Sequence, residues 1–500
     1  MAEKYDVIII GAGIGGLTAG AILAKNGKKV LILEKNHGVG GYAVNFKRGD
    51  FNFDVALHML DGCDQDKITY RMFKNCGILE KVQFLKPKFV YRSIFPDFDF
   101  RVPQTNIVKF IDILVEYFPE ERPGLTKFFK DMEGIFIDVE KFLYSYLPLP
   151  LELICFPFKY PSLLKYCFLT YENMLDKYIR DRKLKAILSQ LWLFYGLPSS
   201  KLSSYIYAFP TFDYLNNGAT YIHGGGQALS NAIFEVFKEN GGEIMFNAES
   251  TNILVKNRTV KGVTTKDNEY FADYVISNID ARKTFLELIG EDKLKNSFIG
   301  KLKKYKPSLS AFVIYLGLSV SLKEKGIPDY EIFLNPDYDL DKQQEAIIQN
   351  DMRNVPFMLT ISSNLDESTC PKGKSTMSIS IESGYDFWKN LNPVDYSAKK
   401  DELASILIKR AENVIPGLSS YIERKEIVTP LTMERYTNNY KGAIFGFSQV
   451  VNQSGLFRIS SDTPIRNLYL ASAWTIPGGG MSAVMHAGER VAEKILRKNE

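Results

Sequence analysis

The chain has 500 residues, of which 45% are apolar and 24% are charged, and its net charge is only +4. This length exceeds the size at which one hydrophobic core usually stops growing, so the sequence predicts a soluble globular protein with two or more lobes. The near-balanced charge gives no reason to expect a nucleic-acid partner, and the basic clusters at 180–185 and 301–306 are more typical of solvated helix faces than of a lipid-binding surface.

Residues 7–35, VIIIGAGIGGLTAGAILAKNGKKVLILEK, predict a strand, a glycine turn, a helix and a second strand. Val7 to Ile10 is a short β-branched run, which is typical of a strand buried on both faces of a parallel sheet. Gly11, Gly13 and Gly16 follow in the spacing G-x-G-x-x-G. Such glycines permit a tight bend, close approach of the backbone to a pyrophosphate, and close packing of helix on strand.

An acidic residue closes the second predicted strand. Asn26 and Gly27 are expected to end the helix, and residues 28–33 to form the strand that precedes Glu34. Glu34 lies 23 residues after Gly11, where a carboxylate accepts hydrogen bonds from a ribose 2′-hydroxyl and repels a 2′-phosphate. The complete order of strand, glycines, helix, strand and acid favours dinucleotide binding over an ordinary structural turn, and it disfavours NADP.

The next segments predict a second glycine turn and an aromatic-rich region. Gly38, Gly40 and Gly41 form the turn, and residues 51–56 alternate in polarity like a sheet edge. Residues 90–220 are unusually rich in Phe and Tyr. Most of these aromatic side chains are expected to fill a core, but so dense a supply also suits an elongated apolar pocket.

Part of the aromatic region is a candidate for peripheral membrane contact. We expect this contact around Tyr144 to Phe168. The most apolar stretch, Tyr146 to Phe158, carries three prolines and Glu152, so it is not expected to span a bilayer as a helix of ~20 residues.

Two later segments again have nucleotide-binding character. Residues 221–283 predict a glycine-rich turn, an amphipathic helix over Gln227 to Lys238 and short strands joined by turns at 256–257 and 266–268. Residues 467–496 predict a strand, a Pro-Gly-Gly-Gly turn and a helix. This turn is a second place where glycines present a helix N-terminus, which favours anions.

The three nucleotide-type segments lie at the start, middle and end of the chain, so one domain is predicted to be discontinuous. The expected fold class is α/β, or α+β overall, with a Rossmann-like domain and a separate mixed-sheet and helical substrate domain. The nucleotide domain is assigned to 1–89, 221–283 and 441–500, and the substrate domain to 90–220 and 284–440.

Cysteine and histidine usage indicates the compartment and argues against a metal site. The five cysteines are odd in number and show no metal-type spacing, which fits a reducing, cytoplasmic compartment. The first strand begins by about Tyr5, so no signal peptide is expected ahead of it. With four histidines in total, no metal site of standard spacing is predicted.

The ordered set of motifs resembles the phytoene desaturase, carotenoid isomerase and retinol saturase family within the flavin amine oxidase superfamily. The motifs are the glycine triplet, Glu34, Gly40-Gly41, FNFD at 51–54, GGG at 224–226, ADYVISN at 272–278, TPLTMERY at 429–436 and NLYLASAWTIPGGGMSAV at 467–484. The resemblance runs from end to end. It implies noncovalent FAD in the discontinuous domain, and long polyenes or other isoprenoids drawn from a membrane as substrates.

Carried over by position, the resemblance assigns the cofactor contacts. It places the pyrophosphate on Gly11, Ala12, Gly13, Ile14, Gly15 and Gly16, the adenosine ribose on Glu34 and Lys35, and the flavin side of the phosphates near Gly40, Gly41 and Tyr42. The adenine would lie near Ser250, and the pyrimidine edge of the flavin at the backbone of Gly480 and Met481. Tyr42 stands where many relatives have an arginine, and Ser250 where valine is typical. Many of these contacts use backbone atoms, so FAD binding is expected to survive the changes.

The sequence does not assign the catalytic side chains. A flavin can transfer hydride without a side-chain triad, so the protein needs only to hold it against a C–C bond and exclude water. His58 is a candidate proton donor, although a buried, satisfied histidine is the more common case. His223 is equally well explained as a turn residue. Glu434 and Tyr440 lie in a segment that approaches the substrate in relatives, and neither receives a role.

The resemblance implies FAD-dependent redox chemistry on C–C or C=C bonds of an apolar isoprenoid or polyene. Desaturation, saturation and redox-neutral cis–trans isomerisation are not separated by the sequence, and the first two need an electron acceptor or donor. Two alternatives on the same scaffold are a flavin amine or amino-acid oxidase and a non-catalytic carrier of prenyl lipids.

Overall fold

The opening strand, Lys4–Ile10, lies in the interior of a seven-stranded sheet. Its apolar residues suit this place because both faces of the strand are buried there. The structure, a computed structural model, describes residues 4–145 and 149–498. Val7 pairs in parallel with Val30 on one side and Tyr274 on the other. In spatial order the strands are Ser250–Lys256, Thr259–Thr265, Glu269–Ser277, Lys4–Ile10, Val30–Leu33 and Glu243–Met245, and Leu468–Leu470 also pairs with Glu269–Ser277. The beginning, middle and end of the chain therefore share one sheet.

Beside this first sheet, helix Ile14–Lys25 packs against both Gly225–Glu239 and Met481–Arg497. In Ile14–Lys25 all residues but the last are buried, which explains the absence of a polar face in its sequence. The Gly225–Glu239 helix starts two residues before the expected Gln227, because Asp54 and Asn45 accept hydrogen bonds from its first backbone N–H groups.

The second strand is shorter than predicted. Residues 28–33 were expected to be extended, but the strand is Val30–Leu33. Gly27 has a positive φ of +75°, and the Lys28 N–H donates to the Leu23 carbonyl at 3.1 Å. These features close the C-terminus of the preceding helix and delay the start of the strand.

A second seven-stranded sheet forms the other half of the molecule. In spatial order its strands are Ile422–Val428, Ser310–Leu318, Ser375–Ser383, Phe357–Thr360, Glu331–Leu334, Phe89–Phe95 and Phe98–Pro103. Glu331–Leu334 and Phe89–Phe95 pair in parallel, and the other neighbours are antiparallel. Two small sheets pair Asn45–Arg48 with Phe51–Asp54 and Phe84–Leu85 with Tyr221–Ile222. The predicted combination of a Rossmann-like sheet with a mixed sheet is confirmed, whereas the five-segment domain division stays a prediction.

The remaining α- and π-helices are distributed over both halves, and Lys283–Gly290, for example, packs against strand Ser250–Lys256 of the first sheet. They are Ile68–Cys76, Ile107–Tyr117, Arg122–Leu143, Leu149–Lys159, Pro161–Tyr166, Tyr171–Leu175, Arg182–Leu188, Ser204–Asn217, Lys283–Gly290, Asn296–Lys304, Leu340–Gln349, Tyr385–Lys389, Pro393–Ala411, Leu418–Tyr421 and Pro430–Thr437. Most of the aromatic side chains in 90–220 are core residues, as expected. Over residues 4–145 and 149–498, no helix combines the length and apolar character needed to cross a bilayer.

Candidate functional site

A cavity of about 770 Å³ is lined by residues of both seven-stranded sheets. Ile10 and Leu33 contribute from the first sheet, and Ala311, Val313 and Met358 contribute from the second. Of the predicted site residues, the following line it: Gly11, Gly13, Ile14, Glu34, Lys35, Gly40, Gly41, Tyr42, His58, Ser250, Gly480 and Met481. The structure therefore brings together residues from the start, middle and end of the chain.

The glycine turn after the first strand is too crowded for side chains. Gly11 has φ +91°, and a Cβ atom at Gly16 would meet the Gly11 carbonyl oxygen at 2.5 Å. A Cβ atom at Gly15 would meet the Ala471 carbonyl oxygen at 2.5 Å, in the segment that precedes the last helix. The predicted turn is thus also the contact between the opening and closing segments of the chain.

The second glycine turn lies directly against the first. The Gly40 N–H donates to the Ala12 carbonyl at 2.8 Å, and Gly13 and Gly40 form an isolated parallel bridge. Gly41 has φ +65°, and a Cβ atom there would lie 3.3 Å from Gly13 Cα. Two stretches of bare backbone consequently face the cavity side by side.

Two helices begin at this cavity without side-chain caps. Ile14–Lys25 is capped by Gly13, and Met481–Arg497 is capped by Gly480 with φ +113°. Neither helix has an acidic residue in its first turn. Their free N–H groups and positive dipole ends suit anionic or electron-rich groups of a ligand.

Glu34 is held rigidly at the end of the second strand. Its side-chain oxygens accept hydrogen bonds from the Ala12 N–H at 2.7 Å and the Asn36 N–H at 2.8 Å. The residue is 7% exposed and lines the cavity. A carboxylate has about four lone-pair sites, so two remain for the hydroxyl groups of a ribose.

The neighbouring positively charged side chain is also part of the wall. Lys35 Nζ donates to the Arg435 carbonyl at 3.2 Å. Burial lowers the pKa of Lys35 below its ordinary value, and the charge of Glu249 opposes this in part. Tyr42 is half-buried, and its hydroxyl donates to the Ala443 carbonyl at 3.3 Å. Burial raises the pKa of Tyr42, so the phenol stays neutral.

Ser250 carries an unsatisfied polar atom. Its Oγ is buried and has no hydrogen-bond partner among the described residues, although it lies in the cavity wall. Buried hydroxyl groups are nearly always hydrogen-bonded, so an orphaned one in a cavity indicates a ligand partner. A dinucleotide such as FAD fits this orphaned hydroxyl group, together with the two crowded glycine turns and the two uncapped helix N-termini.

The rest of the cavity is apolar. Its wall here consists mainly of aromatic and aliphatic side chains, including Phe142, Leu143, Phe156, Leu163, Leu193, Phe194, Tyr205, Ile206, Phe209, Ala311, Val313 and Met358. Many of them come from the aromatic-rich region 90–220, where an elongated apolar pocket was predicted. The nucleotide-type cradle and the apolar chamber belong to one cavity.

His58 is the candidate proton donor and lies in this wall. Its Nδ1 is 3.3 Å from Glu331 Oε2 and 3.1 Å from Thr360 Oγ1. Burial lowers the pKa of His58, but the Glu331 carboxylate more than offsets this, and the pKa is raised above its ordinary value. His58 is therefore well hydrogen-bonded, and its catalytic role stays a proposal.

The other candidates lie away from the chamber. The side chain of His223 is 47% exposed, its Nδ1 lies 3.1 Å from Asp366 Oδ1, and His223 does not line the cavity. Glu434 accepts a hydrogen bond from the Tyr385 hydroxyl, and neither Glu434 nor Tyr440 lines the cavity. Within the described part of the chain, no group of His, Cys, Asp and Glu side chains has the arrangement of a metal site.

Sequence reasoning missed several wall residues. Asn278 donates through Nδ2 to the Gly11 carbonyl at 3.3 Å and packs against the glycine turn. It follows a parallel strand beside the first one, so its placement at the same sheet edge could have been inferred. Ser482 Oγ donates to Asp61 Oδ1 at 2.7 Å beside the start of the last helix. Burial raises the pKa of Asp61, and burial together with Asp61 raises the pKa of Asp213 to about 7.

One further missed residue, Glu382, lies in the apolar part of the wall. It is 2% exposed, and neither carboxyl oxygen has a hydrogen-bond partner in the described structure. Burial raises the pKa of Glu382 to about 8, so the group is a neutral carboxylic acid at neutral pH.

A sheet with parallel central strands and a glycine-rich nucleotide cradle, opening into an apolar chamber over a second sheet, defines a dinucleotide-binding protein of the α/β class. The family profile described as "Flavin containing amine oxidoreductase" matches residues 14–496, and the chain belongs to that family. It is a flavin-dependent oxidoreductase, and its cofactor is FAD.

Curated relatives match over nearly the whole chain. A chloroplastic prolycopene isomerase of Daucus carota is 28% identical and covers 99% of this chain and 80% of its own length. An all-trans-retinol 13,14-reductase of Danio rerio is 25% identical over 94% of this chain and 82% of its own, and a 4,4′-diapophytoene desaturase of Methylomonas sp. is 25% identical over 100% and 96%. The resemblance drawn from the motifs is confirmed.

Solved structures share the fold. An oxidoreductase of Methanosarcina mazei has a TM-score of 0.68 at 16% identity, covering 98% of this chain and 100% of its own. A putrescine oxidase has a TM-score of 0.66 at 13% identity, covering 99% of both chains. A Rab GDI of Plasmodium falciparum has a TM-score of 0.53 at 14% identity, covering 98% of both. The fold is therefore shared by proteins with different names, a putrescine oxidase and a Rab GDI among them.

Proposed function

We propose that the protein acts on C–C or C=C bonds of an apolar isoprenoid or polyene, held in the apolar chamber against FAD bound in the glycine cradle. The observation that carries this proposal is the single cavity, in which the nucleotide-type cradle and the aromatic chamber meet. The names of the relatives, a prolycopene isomerase, a retinol reductase and a diapophytoene desaturase, agree with such a substrate.

Different residues of the chain would bind different parts of the cofactor. Backbone N–H groups of the segment Gly11–Gly16 would bind the pyrophosphate, with Gly40 and Gly41 opposite. Glu34 would accept the ribose hydroxyls, with Lys35 beside it, and Ser250 Oγ would gain its missing partner near the adenine. Ala12, Gly15 and Gly16 do not line the cavity, so these three would serve the cradle through the Ala12 N–H bond to Glu34 and the close packing of Gly15 and Gly16.

The catalytic end of the cavity needs few side chains. When bound, FAD supplies hydride transfer. The Gly480 and Met481 backbone at the start of the last helix would stabilise negative charge at the pyrimidine edge of the flavin. The aromatic wall would exclude water and orient the apolar chain of the substrate. His58, fixed at Nδ1 by Glu331 and Thr360, would exchange a proton through Nε2.

Three reaction directions fit this site, and an anaerobic spectroscopic experiment separates them. A desaturase substrate bleaches the oxidised flavin of the holoenzyme, and a polyene accepted by a saturase restores the absorbance of the reduced flavin. An isomerase changes the polyene only with reduced flavin and leaves its absorbance unchanged. Amines that bleach the flavin and release hydrogen peroxide, while a panel of polyenes, retinoids and unsaturated lipids has no effect, would overturn the proposal in favour of an amine oxidase.

An exposed apolar face next to the chamber supports peripheral membrane contact as part of this proposal. In helix Leu149–Lys159, Leu151, Ile154 and Phe158 are spaced to share one face and are 51%, 68% and 86% exposed. Phe156 of the same helix lines the cavity. Residues 146–148 of the predicted contact segment lie outside the described residues.

The exposed face continues toward the cavity wall. Phe168 is 61% exposed and contacts the Phe457 ring in a tilted arrangement at a centroid distance of 5.9 Å, and both residues line the cavity. An apolar substrate could thus pass from a lipid surface into the chamber without crossing water. We place the protein in the reducing cytoplasm at such a surface, where it would also meet an electron donor or acceptor.

Sedimentation with anionic liposomes at low salt tests the membrane contact. Phe158→Ser should reduce the bound fraction several-fold, because one large apolar side chain contributes about 2–3 kcal/mol to burial in lipid. Val394→Ser is the matched control, since Val394 is 79% exposed on another helix and does not line the cavity. Equal losses for both variants, or no binding by the unaltered protein, would contradict the contact.

A further inference from the structure

Glu382 is an isolated carboxyl group in the apolar chamber. Both of its oxygens are buried without a hydrogen-bond partner among the described residues. The nearest donors, the backbone N–H groups of Gly196 and of Glu382 itself, lower the pKa of this carboxyl in part but form no hydrogen bond with it, and the Gly196 N–H donates to the Trp192 carbonyl at 3.0 Å. A buried polar group without a partner costs about as much as a lost hydrogen bond, so this carboxyl is expected to gain a partner in the working protein.

The strand that carries Glu382 directs it into the substrate part of the cavity. Glu382 lies two residues after Ser380 in strand Ser375–Ser383, and residues two apart share one face of a strand. Both residues line the cavity, as do Ala311 and Val313, their partners in the neighbouring strand. The position belongs to the second sheet rather than to the nucleotide cradle, so it lies outside the groups assigned to the pyrophosphate, the ribose and the adenine.

We propose that Glu382 is the polar anchor for a hydroxyl group on the bound apolar chain. This inference rests on the proposed function, because it assigns a substrate class, an isoprenoid or polyene alcohol, to the same chamber. A neutral carboxyl group offers one O–H donor and one carbonyl acceptor, and an alcohol offers one donor and one acceptor in return. An aldehyde can only accept, and a hydrocarbon satisfies neither oxygen.

The protonation state of Glu382 agrees with this role. Burial raises its pKa to about 8, and a neutral acid does not require a cationic partner. An ionised carboxylate at the same place would instead select a protonated amine, which is the ligand expected of an amine oxidase. The two ligand classes therefore give opposite results in one experiment.

The test measures equilibrium binding to the purified holoenzyme by fluorescence. The probes are all-trans-retinol, all-trans-retinal and 15-deoxyretinol, which share one apolar chain and differ in the terminal group. The unaltered protein should bind the alcohol about tenfold more tightly than the hydrocarbon, with the aldehyde between them. Glu382→Leu should abolish this preference without weakening hydrocarbon binding, and Glu382→Gln should keep most of it because an amide also donates and accepts.

Glu367→Leu is the matched control, since it makes the same substitution at an acid whose side chain is 83% exposed and which does not line the cavity. It should leave the tenfold preference intact. If Glu382→Leu does not fold, infrared spectroscopy provides a second measurement. The carbonyl band of the protonated carboxyl should shift when retinol binds, and that band should be absent in Glu382→Gln.

Two results would overturn the inference in distinguishable ways. Equal binding of retinol and deoxyretinol by the unaltered protein, or an alcohol preference that persists in Glu382→Leu, would refute the anchor and leave the proposed function standing. Flavin bleaching by a primary amine, lost in Glu382→Gln and combined with no binding of any of the three retinoids, would refute both.

Discussion

Replacing Gly16 by alanine gives a test in which two physical effects have opposite signs. Gly16 lies in the first turn of helix Ile14–Lys25, where alanine is intrinsically about 1 kcal/mol better than glycine. However, the new Cβ atom would lie 2.5 Å from the Gly11 carbonyl oxygen, and ordinary contact begins at 3.4 Å. The helix must therefore move away from the first strand by most of 0.9 Å (3.4 minus 2.5), against a packed core.

Overpacking of this kind costs about 1–3 kcal/mol, and here the displaced atoms are backbone atoms that cannot rotate away. We expect Gly16→Ala to lower the melting temperature and to reduce the FAD content of the purified protein to less than half. The cofactor is lost because the same shift moves the N–H groups of the glycine turn.

The assay is the ratio of flavin absorbance to protein absorbance, combined with thermal unfolding monitored by circular dichroism. Gly38→Ala is the matched control, because a Cβ atom at Gly38 would have no neighbour within 4 Å and this residue does not line the cavity. If Gly16→Ala retains full FAD and melts at or above the temperature of the unaltered protein, the steric reasoning about this turn is refuted.

Three further predictions concern the polar groups. Glu34→Gln replaces a carboxylate oxygen, which accepts a hydrogen bond from the Ala12 or Asn36 N–H, by an NH₂ group that can only donate. The affinity for FAD, measured by titration of the apoprotein, should therefore fall about 10- to 100-fold. An unchanged affinity would contradict the assignment of Glu34 to the ribose. The buried Arg458 guanidinium donates to the backbone carbonyl groups of Phe445, Phe447, Ala473 and Thr475, two of them in buried hydrogen bonds. Arg458→Met removes these donors, so the free energy of urea unfolding should fall by about 2–4 kcal/mol, and an unchanged value would contradict a stabilising role for Arg458. Burial raises the pKa of Glu382 to about 8 in the folded protein, against an ordinary 4.5, so the free energy of unfolding is highest below pH 4.5 and falls as the pH rises to 8. Relative to Glu382→Gln, the unaltered protein should lose up to about 4 kcal/mol of this free energy between pH 5 and 8. Parallel pH profiles of the two proteins would contradict the raised pKa.

Local sequence patterns were sufficient to predict which residues form the nucleotide-type cradle. Gly11 and Gly16 are required by the geometry of one short turn, and Glu34 is placed by the end of the strand that follows the helix. These features depend on neighbours within a single strand–helix–strand unit. The meeting of that unit with the final helix at Gly480 was also predictable, because a glycine-capped helix after a strand repeats the same arrangement.

The substrate chamber depends on long-range packing and was predicted only as an apolar pocket. Glu382 is the second-last residue of the alternating, Ser-rich strand Ser375–Ser383, a position typical of a solvent-facing acid at a strand end. Its burial depends on the neighbouring strand Ser310–Leu318, where it pairs with Ala311, and on Gly196 beside its side chain, and neither contact is encoded near residue 382. His58 was recognised from its motif, but its partners Glu331 and Thr360 are 273 and 302 residues away in the chain.

The central claim is that three distant segments bind one FAD molecule whose ring faces the apolar chamber. An experimentally determined structure of the protein as purified, at a resolution that shows the cofactor, tests this most directly. The account predicts density for FAD with its pyrophosphate at Gly11–Gly16, its adenine near Ser250 and its ring between the Gly480–Met481 backbone and the aromatic wall. A fully occupied protein in which the ring points away from that wall, or a purified protein with an intact cradle and no flavin, would contradict it.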